Sequence, residues 1–481
     1  VAASALTGSL ASEVVRWDEL VAQMEGGTRT LAGDLFLSAA CIAYLGPFTA
    51  PFRQGMAEQW GALCATRGMA VSQPFALVAA LATPIQLREW AIQTLPTDTT
   101  SLENAVLVTV SMSPKSRRWP LLIDPQGQGQ KWITKMEARL GLKTIRASEP
   151  GYLRTLEQAV RNGTPVLMEG LGETLDPSLD ALLFKRVYEQ GGRTLIDFGG
   201  GGSAIDYDPH FRLYLTTKLP NPKYLPDVCI RVNLINFTVT MQGLEEQMLG
   251  DAVAIERAEL EEAKNRLIQS VANDKRKLKQ YEDGILEDLE NAMGNILDNQ
   301  QLIDSLRKAQ STSAMLAERL AEAEKQTAEI LEARRQYTPV ATRASILYFV
   351  IAELSLIDPM YQYSLGWFKG FFRQVVEGCE RVPDLRQHLQ ALTVALTEAT
   401  YVTICRGLFK KDKAILSLLL GVQIQRQGRA ITDAEWQFLL RPTQAVRAED
   451  EESCPEACHW LDAKRWALLC ALERQGPACE G

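Results

Sequence analysis

The densest chemical signal in the chain is the run from Trp119 to Ile133, which reads WPLLIDPQGQGQKWI. An apolar run predicts a buried strand, a glycine-rich turn follows, and a helix opens behind it. That order of elements can cradle phosphate: free N–H groups at the helix start face an anion, a lysine neutralises it, and a hydroxyl holds magnesium. The pattern that does so reads GxxxxGK followed by Ser or Thr. Laid on it, Asp124 takes the first Gly position and Pro125, Gln126, Gly127 and Gln128 fill the turn. Gly129 is the second Gly, Gln130 replaces the lysine, and Lys131 stands where the hydroxyl should be. Each change works against a nucleotide. Asp124 puts a carboxylate near the phosphates, Gln130 has no charge, and Lys131 comes one residue late, rotated by about 100° on a helix. Trp132 is expected to add bulk at the helix start. Weak anion binding by the helix N-terminus stays open.

The second element of such a site would be an apolar strand ending in two acids. The strand Pro165–Met168 ends in Glu169 and Gly170, so one carboxylate survives and the catalytic position is Gly. Glu173 enters only under a different alignment. Thr216 and Thr217, after Phe211–Leu215, stand where a polar sensor residue would lie, or are simple turn residues. No catalytic residue is assigned. Arg186 and Arg193 could reach a neighbour's nucleotide, or be solvated surface. Cys454, Cys458 and His459 do not make a usual four-ligand zinc set, so no metal is expected. His210 and His388 read as surface or cap residues.

These residues need elements to position them. From Asn104 to Thr240 short apolar runs alternate with helical segments. Strands are expected at Ala105–Val110, Leu121–Ile123, Thr144–Ile145, Val166–Met168, Thr194–Phe198, Leu213–Leu215 and Ile230–Ile235. Helices are expected at Lys131–Leu140, Leu153–Arg161 and Ser178–Gln190. Such alternation implies a mostly parallel sheet covered on both faces. Gly199–Gly202 reads as a hairpin turn. Ahead of this region, helices are expected over Ser9–Thr30, interrupted at Gly26-Gly27, over Gly33–Leu45, stopped by Gly46-Pro47, and over Ala50–Gly68. Behind it, Glu, Lys, Ala, Leu and Gln dominate from Ala252 to Arg335 with no Pro. Leu302, Leu306, Ala309, Ser313, Leu316, Leu320, Ala323, Thr327 and Ile330 keep a 4-3 spacing, a coiled-coil seam. With a break at Met293-Gly294-Asn295, two arms read as an antiparallel hairpin reaching roughly 50–60 Å. Helices follow at Ala344–Leu356, Tyr361–Glu377, Leu385–Leu408 and Lys413–Gln425.

The 481 residues suggest two to four units. Hydrophobic residues at 46% and charged residues at 23% allow a sizeable core. The net charge of −8 argues against nucleic acid or an anionic membrane as the main partner. No apolar run is expected to span a bilayer. The nine cysteines are scattered and odd in number; Cys41, Cys64, Cys229, Cys379 and Cys405 lie in apolar surroundings and read as small buried hydrophobes, in a reducing compartment. Val1 in place of Met, with no signal-like segment, reads as a piece of something longer.

Several segments are similar to one family. They are GSLASEVVRW (Gly8–Trp17), AACIAYLGPFTAPFR (Ala39–Arg53), WPLLIDPQGQGQKWI, FRLYLTTKLPNPKY (Phe211–Tyr224), INFTVTMQGLEEQMLG (Ile235–Gly250) and IDPMYQYSLGWF (Ile357–Phe368). They span nearly the whole chain in family order. The chain resembles the dynein heavy chain, in the part of its motor that follows the microtubule-binding stalk. The wording DPQGQ…KWI is more similar to axonemal dyneins. Gly129-Gln130 departs from the Ala-Asn often found there, without restoring a lysine.

The resemblance implies a ring of AAA+ modules in one polypeptide. Residues 1–30 would end the returning stalk helix, and 31–250 would be the degenerate large α/β subdomain of the fifth module. Residues 251–336 would be a coiled-coil strut, 337–441 the helical small subdomain, and 442–481 the start of the next module. It implies ATP and magnesium at other modules but no cofactor here, and an ATPase parent motor whose present segment is not catalytic by itself. Its partners would be neighbouring modules, the stalk, a microtubule through that stalk and other dynein chains, with no nucleic acid and no membrane. Its place would be the cytoskeleton, in the axoneme of a cilium or flagellum. The rival readings are an active AAA+ ATPase with an atypical loop and a coiled-coil scaffold.

Overall fold

The computed structural model describes residues 2–113, 115–198, 203–260, 300–442 and 462–473, with scattered residues between 262 and 284. The chain divides into two units, Val1–Gln336 and Tyr337–Gly481.

The first unit opens on helix α1, Ala2–Ala40, which continues into a π-type turn at Cys41–Leu45. The break expected at Gly26-Gly27 does not occur. Both glycines are exposed with nothing within 4 Å of an added Cβ. A glycine weakens a helix by about 1 kcal/mol relative to Ala, which the turns on either side outweigh. Gly33 has a different job. A Cβ there would lie 2.2 Å from the Ala70 carbonyl oxygen, so only Gly lets the segment after the next helix cross α1. Helices α2 (Ala50–Thr66), α3 (Leu77–Leu81), α4 (Pro84–Ile92) and α5 (Thr99–Ser111) follow. Ala105–Val110, expected as a strand, is the middle of α5. Asp98 caps that helix, accepting from the Ser101 N–H at 3.0 Å, and Asn104 to Val108 are all buried. A helix covered on most sides shows an unbroken apolar run, which periodicity cannot separate from a buried strand.

Strands β1 (Trp119–Ile123), β2 (Lys143–Arg146), β3 (Val166–Glu169), β4 (Val187–Gln190), β5 (Arg193–Phe198), β6 (Ser203–Asp206), β7 (Leu213–Thr217) and β8 (Val232–Asn236) form two sheets. The larger runs β2-β3-β7-β1-β8, with every pair parallel. Its central strands are buried end to end, and alternate residues serve opposite faces. Leu121 and Leu215 pack with Leu156 and Val160 of α7 (Tyr152–Asn162). Leu122, Leu167, Tyr214 and Ile235 pack with Val106 of α5 and with Trp132 and Ile133 of α6 (Gln128–Met136). Helices thus cover both faces, as a parallel sheet requires.

The smaller sheet, β4-β5-β6, is antiparallel. It corrects two expectations. Ser178–Gln190 is not one helix: α8 covers only Asp180–Leu183 and β4 begins at Val187. Thr194–Phe198 is a strand, but outside the parallel sheet. The cause is the turn Gly191-Gly192, with φ of +60° and +76°, the paired left-handed geometry of a tight hairpin. Ile230–Ile235 is corrected in part, because α9 (Pro226–Arg231) runs to Arg231 and β8 starts at Val232. The turn expected at Gly199–Gly202 lies outside the described residues.

Beyond β8, Thr240 caps α10 (Met241–Glu256), and α11 (Gln300–Arg335) is a helix of 36 residues. At the expected seam Leu316 and Ala323 are buried and Thr327 and Ile330 half-buried, between exposed neighbours. Arg319 of α11 pairs with the buried Asp274 at 3.0 Å. Helix α11 also meets α1. The break at Met293-Gly294-Asn295 lies outside the described residues.

The second unit is helical: α12 (Thr338–Glu353), α13 (Leu365–Gly378), α14 (Leu385–Gly407), α15 (Lys413–Gln427), α16 (Asp433–Leu440) and α17 (Ala463–Glu473). Contrary to the sequence expectation, the stretch Thr338–Leu356 is long and apolar enough to cross a membrane, with a mean hydropathy of 1.3. Most of its apolar residues, among them Val340, Leu347 and Ile351, are buried in the unit, where α12 packs on α14 and α15. It is the central core helix. Cys454, Cys458 and His459 lie outside the described residues, and no metal-binding group of side chains occurs among those described.

Candidate functional site: a phosphate loop filled from within

β1 hands the chain to the loop with one further ladder bond, Asp124 N–H to the Thr217 carbonyl at 3.0 Å. Gly127 then takes φ +71°, a left-handed turn that suits Gly, and α6 starts at Gln128. The Asp124 carboxylate, 2% exposed, folds back over the helix start. Oδ1 accepts from the Gln128 N–H and Oδ2 from the Gln130 N–H, both at 2.9 Å. These are the unsatisfied donors that a phosphate loop turns toward its anion. Burial pushes the Asp124 carboxyl up to about 6, against the lowering pull of the N–H groups of Gln130, Gln128, Gly127 and Gly129. Gly129 is fixed by packing: a Cβ would lie 2.7 Å from Leu122 Cδ2 and 3.2 Å from Phe237 Cγ.

The lysine position is equally committed. The Gln130 side-chain amide donates to Glu169 at the end of β3. Glu169 is buried, with the Arg146 guanidinium 3.6 Å from its other oxygen. So the structure brings together the loop and the surviving acid, bridged by an amide rather than an ammonium. Gly170 has φ +68°, a backbone state that a Glu would adopt only under strain. Glu173 is exposed and accepts from the Lys223 N–H at 2.9 Å. Lys131 is exposed. Trp132 differs from expectation. Its ring leaves the loop and inserts between Trp90 (6.2 Å, edge-on) and Phe237 (6.3 Å, stacked) in the core. Thr217 donates to the Leu171 carbonyl at 2.7 Å and Thr216 to that of Met168 at 3.4 Å, so both hydroxyls stitch the chain beside β3.

Sequence reasoning missed the loop's glutamine ties. Gln126 accepts from the Val239 N–H at 3.3 Å, and Gln128 donates to Gln247 of α10 at 2.8 Å. It also missed Arg53, 5% exposed. Arg53 donates to the carbonyls of Gly46 (2.7 Å) and Phe48 (2.9 Å) and to Asn104 Oδ1 (2.8 Å), with Glu103 at 3.8 Å. Asn236 of β8 donates its N–H to the Gly46 carbonyl at 2.8 Å. A Cβ on Gly46 would lie 2.2 Å from the Leu234 carbonyl oxygen. The end of α1 is thereby fastened to the edge strand of the sheet. The only sequence signal was Gly46-Pro47. Arg186 lies over the Phe184 ring at 5.0 Å and Arg193 is exposed at the start of β5. His210 is exposed beside Asp208, but His388 is buried, its Nδ1 accepting from the Val382 N–H at 3.4 Å. The surface reading therefore fails for His388, because its helix turns that face inward.

Fold and loop together define an α/β module of the P-loop type, joined in sequence to a helical unit. A family profile described as the ATP-binding dynein motor region matches residues 88–316, and one described as the microtubule-binding stalk of dynein motor matches residues 1–62. Dynein axonemal heavy chain 6 of Homo sapiens is 44% identical over 481 residues, which is 100% of this chain and 11% of that protein. Dynein axonemal heavy chain 1 of Rattus norvegicus is 39% identical over 467 residues, 97% of this chain and 10% of that protein. The Dynein-1-beta heavy chain, flagellar inner arm I1 complex, of Chlamydomonas reinhardtii is 37% identical over 473 residues, 98% of this chain and 10% of that protein. The chain belongs to the dynein heavy chain family, as an axonemal-type motor segment. It spans about a tenth of the length of the curated relatives it matches.

Proposed function

We propose that this chain is a non-hydrolysing AAA+ module with a coiled-coil strut, which passes ATP-driven movements of a motor ring to a microtubule-binding stalk. The observation that carries the reading is the double attachment of α1, the stalk-matching helix. Its end is bonded to β8 through Gly46 and Arg53, and it also meets α11. A displacement of the sheet then reaches α1 by two routes. The ion pair of Arg319 with Asp274 and the buried seam at Leu316 and Ala323 support pairing of two arms into a hairpin within 251–336. A stiff paired helix is what a strut requires.

The partners under this reading are neighbouring AAA+ modules and the stalk of the same heavy chain, a microtubule through that stalk, and other dynein chains. The place is the cytoskeleton of a cilium or flagellum. The loop 124–131 holds no nucleotide, and ATP and magnesium act at other modules. Support comes from Asp124 in the N–H cradle and from Gln130 at the lysine position. Titration of the chain with a fluorescent ATP analogue and magnesium, followed by a turnover assay, tests this. The expected result is neither saturable binding at the loop nor turnover above background. Turnover that disappears in Lys131→Ala would establish the rival reading, an ATPase with an atypical loop.

A further inference from the structure

We propose that Asp124 is a built-in anion, an autoinhibitory contact whose carboxylate takes the place of a phosphate in the cradle at the start of α6. The inference rests on the non-hydrolysing reading above and gives its cause. Loss of the lysine alone would weaken phosphate binding, but would leave the helix N-terminus open to anions. The geometry goes further. The two carboxylate oxygens satisfy the Gln128 and Gln130 N–H groups at 2.9 Å each, the Asp124 carbonyl takes the Gly127 N–H at 3.2 Å, and the carboxylate is buried. An incoming phosphate would have to displace a covalently tethered anion from the same donors, and would meet its charge. The Gln130 side chain, bound to Glu169, closes the adjoining position. Gln126 and Gln128 hold the turn against the segment leading into α10 and α10 itself, so the turn is braced from outside as well. The loop keeps its shape without a ligand, which suits a module that must stay rigid through every nucleotide state of its neighbours.

The test uses Asp124→Gly in the 481-residue chain, with amide hydrogen exchange at Gln128 and Gln130 and thermal melting with and without inorganic pyrophosphate. In the native chain both amides are expected to be protected and the melting temperature to ignore pyrophosphate. In Asp124→Gly the two amides should exchange about tenfold faster or more. Pyrophosphate should then raise the variant's melting temperature and restore the protection. Should the glycine variant fail to fold, Asp124→Asn takes its place. Its single carbonyl oxygen can satisfy only one of the two N–H groups, so the other must exchange faster. Unchanged exchange in the folded variant, or fast exchange that pyrophosphate does not slow in Asp124→Gly, overturns this inference and leaves the non-hydrolysing reading standing. Pyrophosphate protection of the native loop overturns both.

Discussion

Asp124 carries a pH dependence whose sign follows from its burial. The folded carboxyl keeps its proton up to about pH 6, whereas the unfolded group releases it near 3.8. Between those values the folded chain binds more protons. The contribution therefore favours folding in acid and is lost as pH rises through 6. Against Asp124→Asn, the native stability advantage should shrink by roughly 2–3 kcal/mol between pH 4 and pH 7. Urea midpoints across that range check it, and a pH-independent difference would contradict the assigned environment. Arg53 makes a second residue-scale prediction. Arg53→Met removes the donor to the Phe48 carbonyl and to Asn104 Oδ1, and one of two donors to the Gly46 carbonyl, and should cost about 3 kcal/mol. Arg53→Lys should recover little, since an ammonium cannot match the guanidinium fork. A urea midpoint for Arg53→Lys equal to that of the native chain would refute the clamp. The two residues differ in legibility. Asp124 was readable because a strand, glycines and a helix start surround it. Arg53 sits in the stretch PFRQG, and nothing local says that its partners come from residues 46, 48 and 104.

At the scale of elements, β1, β3 and β7 of the parallel sheet were legible because each is a short, largely apolar run closed by a turn. The errors share a cause. α5 is buried so thoroughly that its 3.6-residue period vanishes, while β4, which the Gly191-Gly192 turn pairs with β5, is too polar and exposed to show an inward face. The glycines of α1 were misread because Gly signals a break only where the backbone must turn or another chain must approach. The contrast is testable. Gly26→Ala and Gly27→Ala should each leave α1 intact and add up to about 1 kcal/mol of helix stability. Gly33→Ala should lower the melting temperature, because its Cβ would strike the Ala70 carbonyl. Melting curves of the three variants decide it. A Gly33→Ala protein as stable as Gly26→Ala would show that the crossing at Ala70 is loose.

At the scale of the whole molecule, the fold and the loop's side chains differ in what they keep. The strand order, the turn at Gly127 and the close packing at Gly129 keep the form of a nucleotide-binding module. Asp124, Gln130 and Gly170 take up the places where phosphate, lysine and catalytic acid would act. Under the proposed function, what remains useful is a body that fixes the end of α1 at Gly46 and sets α11 against it. Helix α11 was legible as a helix, and of its 4-3 positions Leu316 and Ala323 are buried. Its contact with α1 was not legible, because nothing in either helix's sequence identifies the other as its neighbour. Under the proposed function this body transmits movement. The measurement that tests it most directly is ATP turnover with and without microtubules, in the full heavy chain, with residues 258–335 replaced by a short linker. Basal turnover should survive, and stimulation by microtubules should be lost. Stimulation equal to that of the native motor would contradict the proposed function.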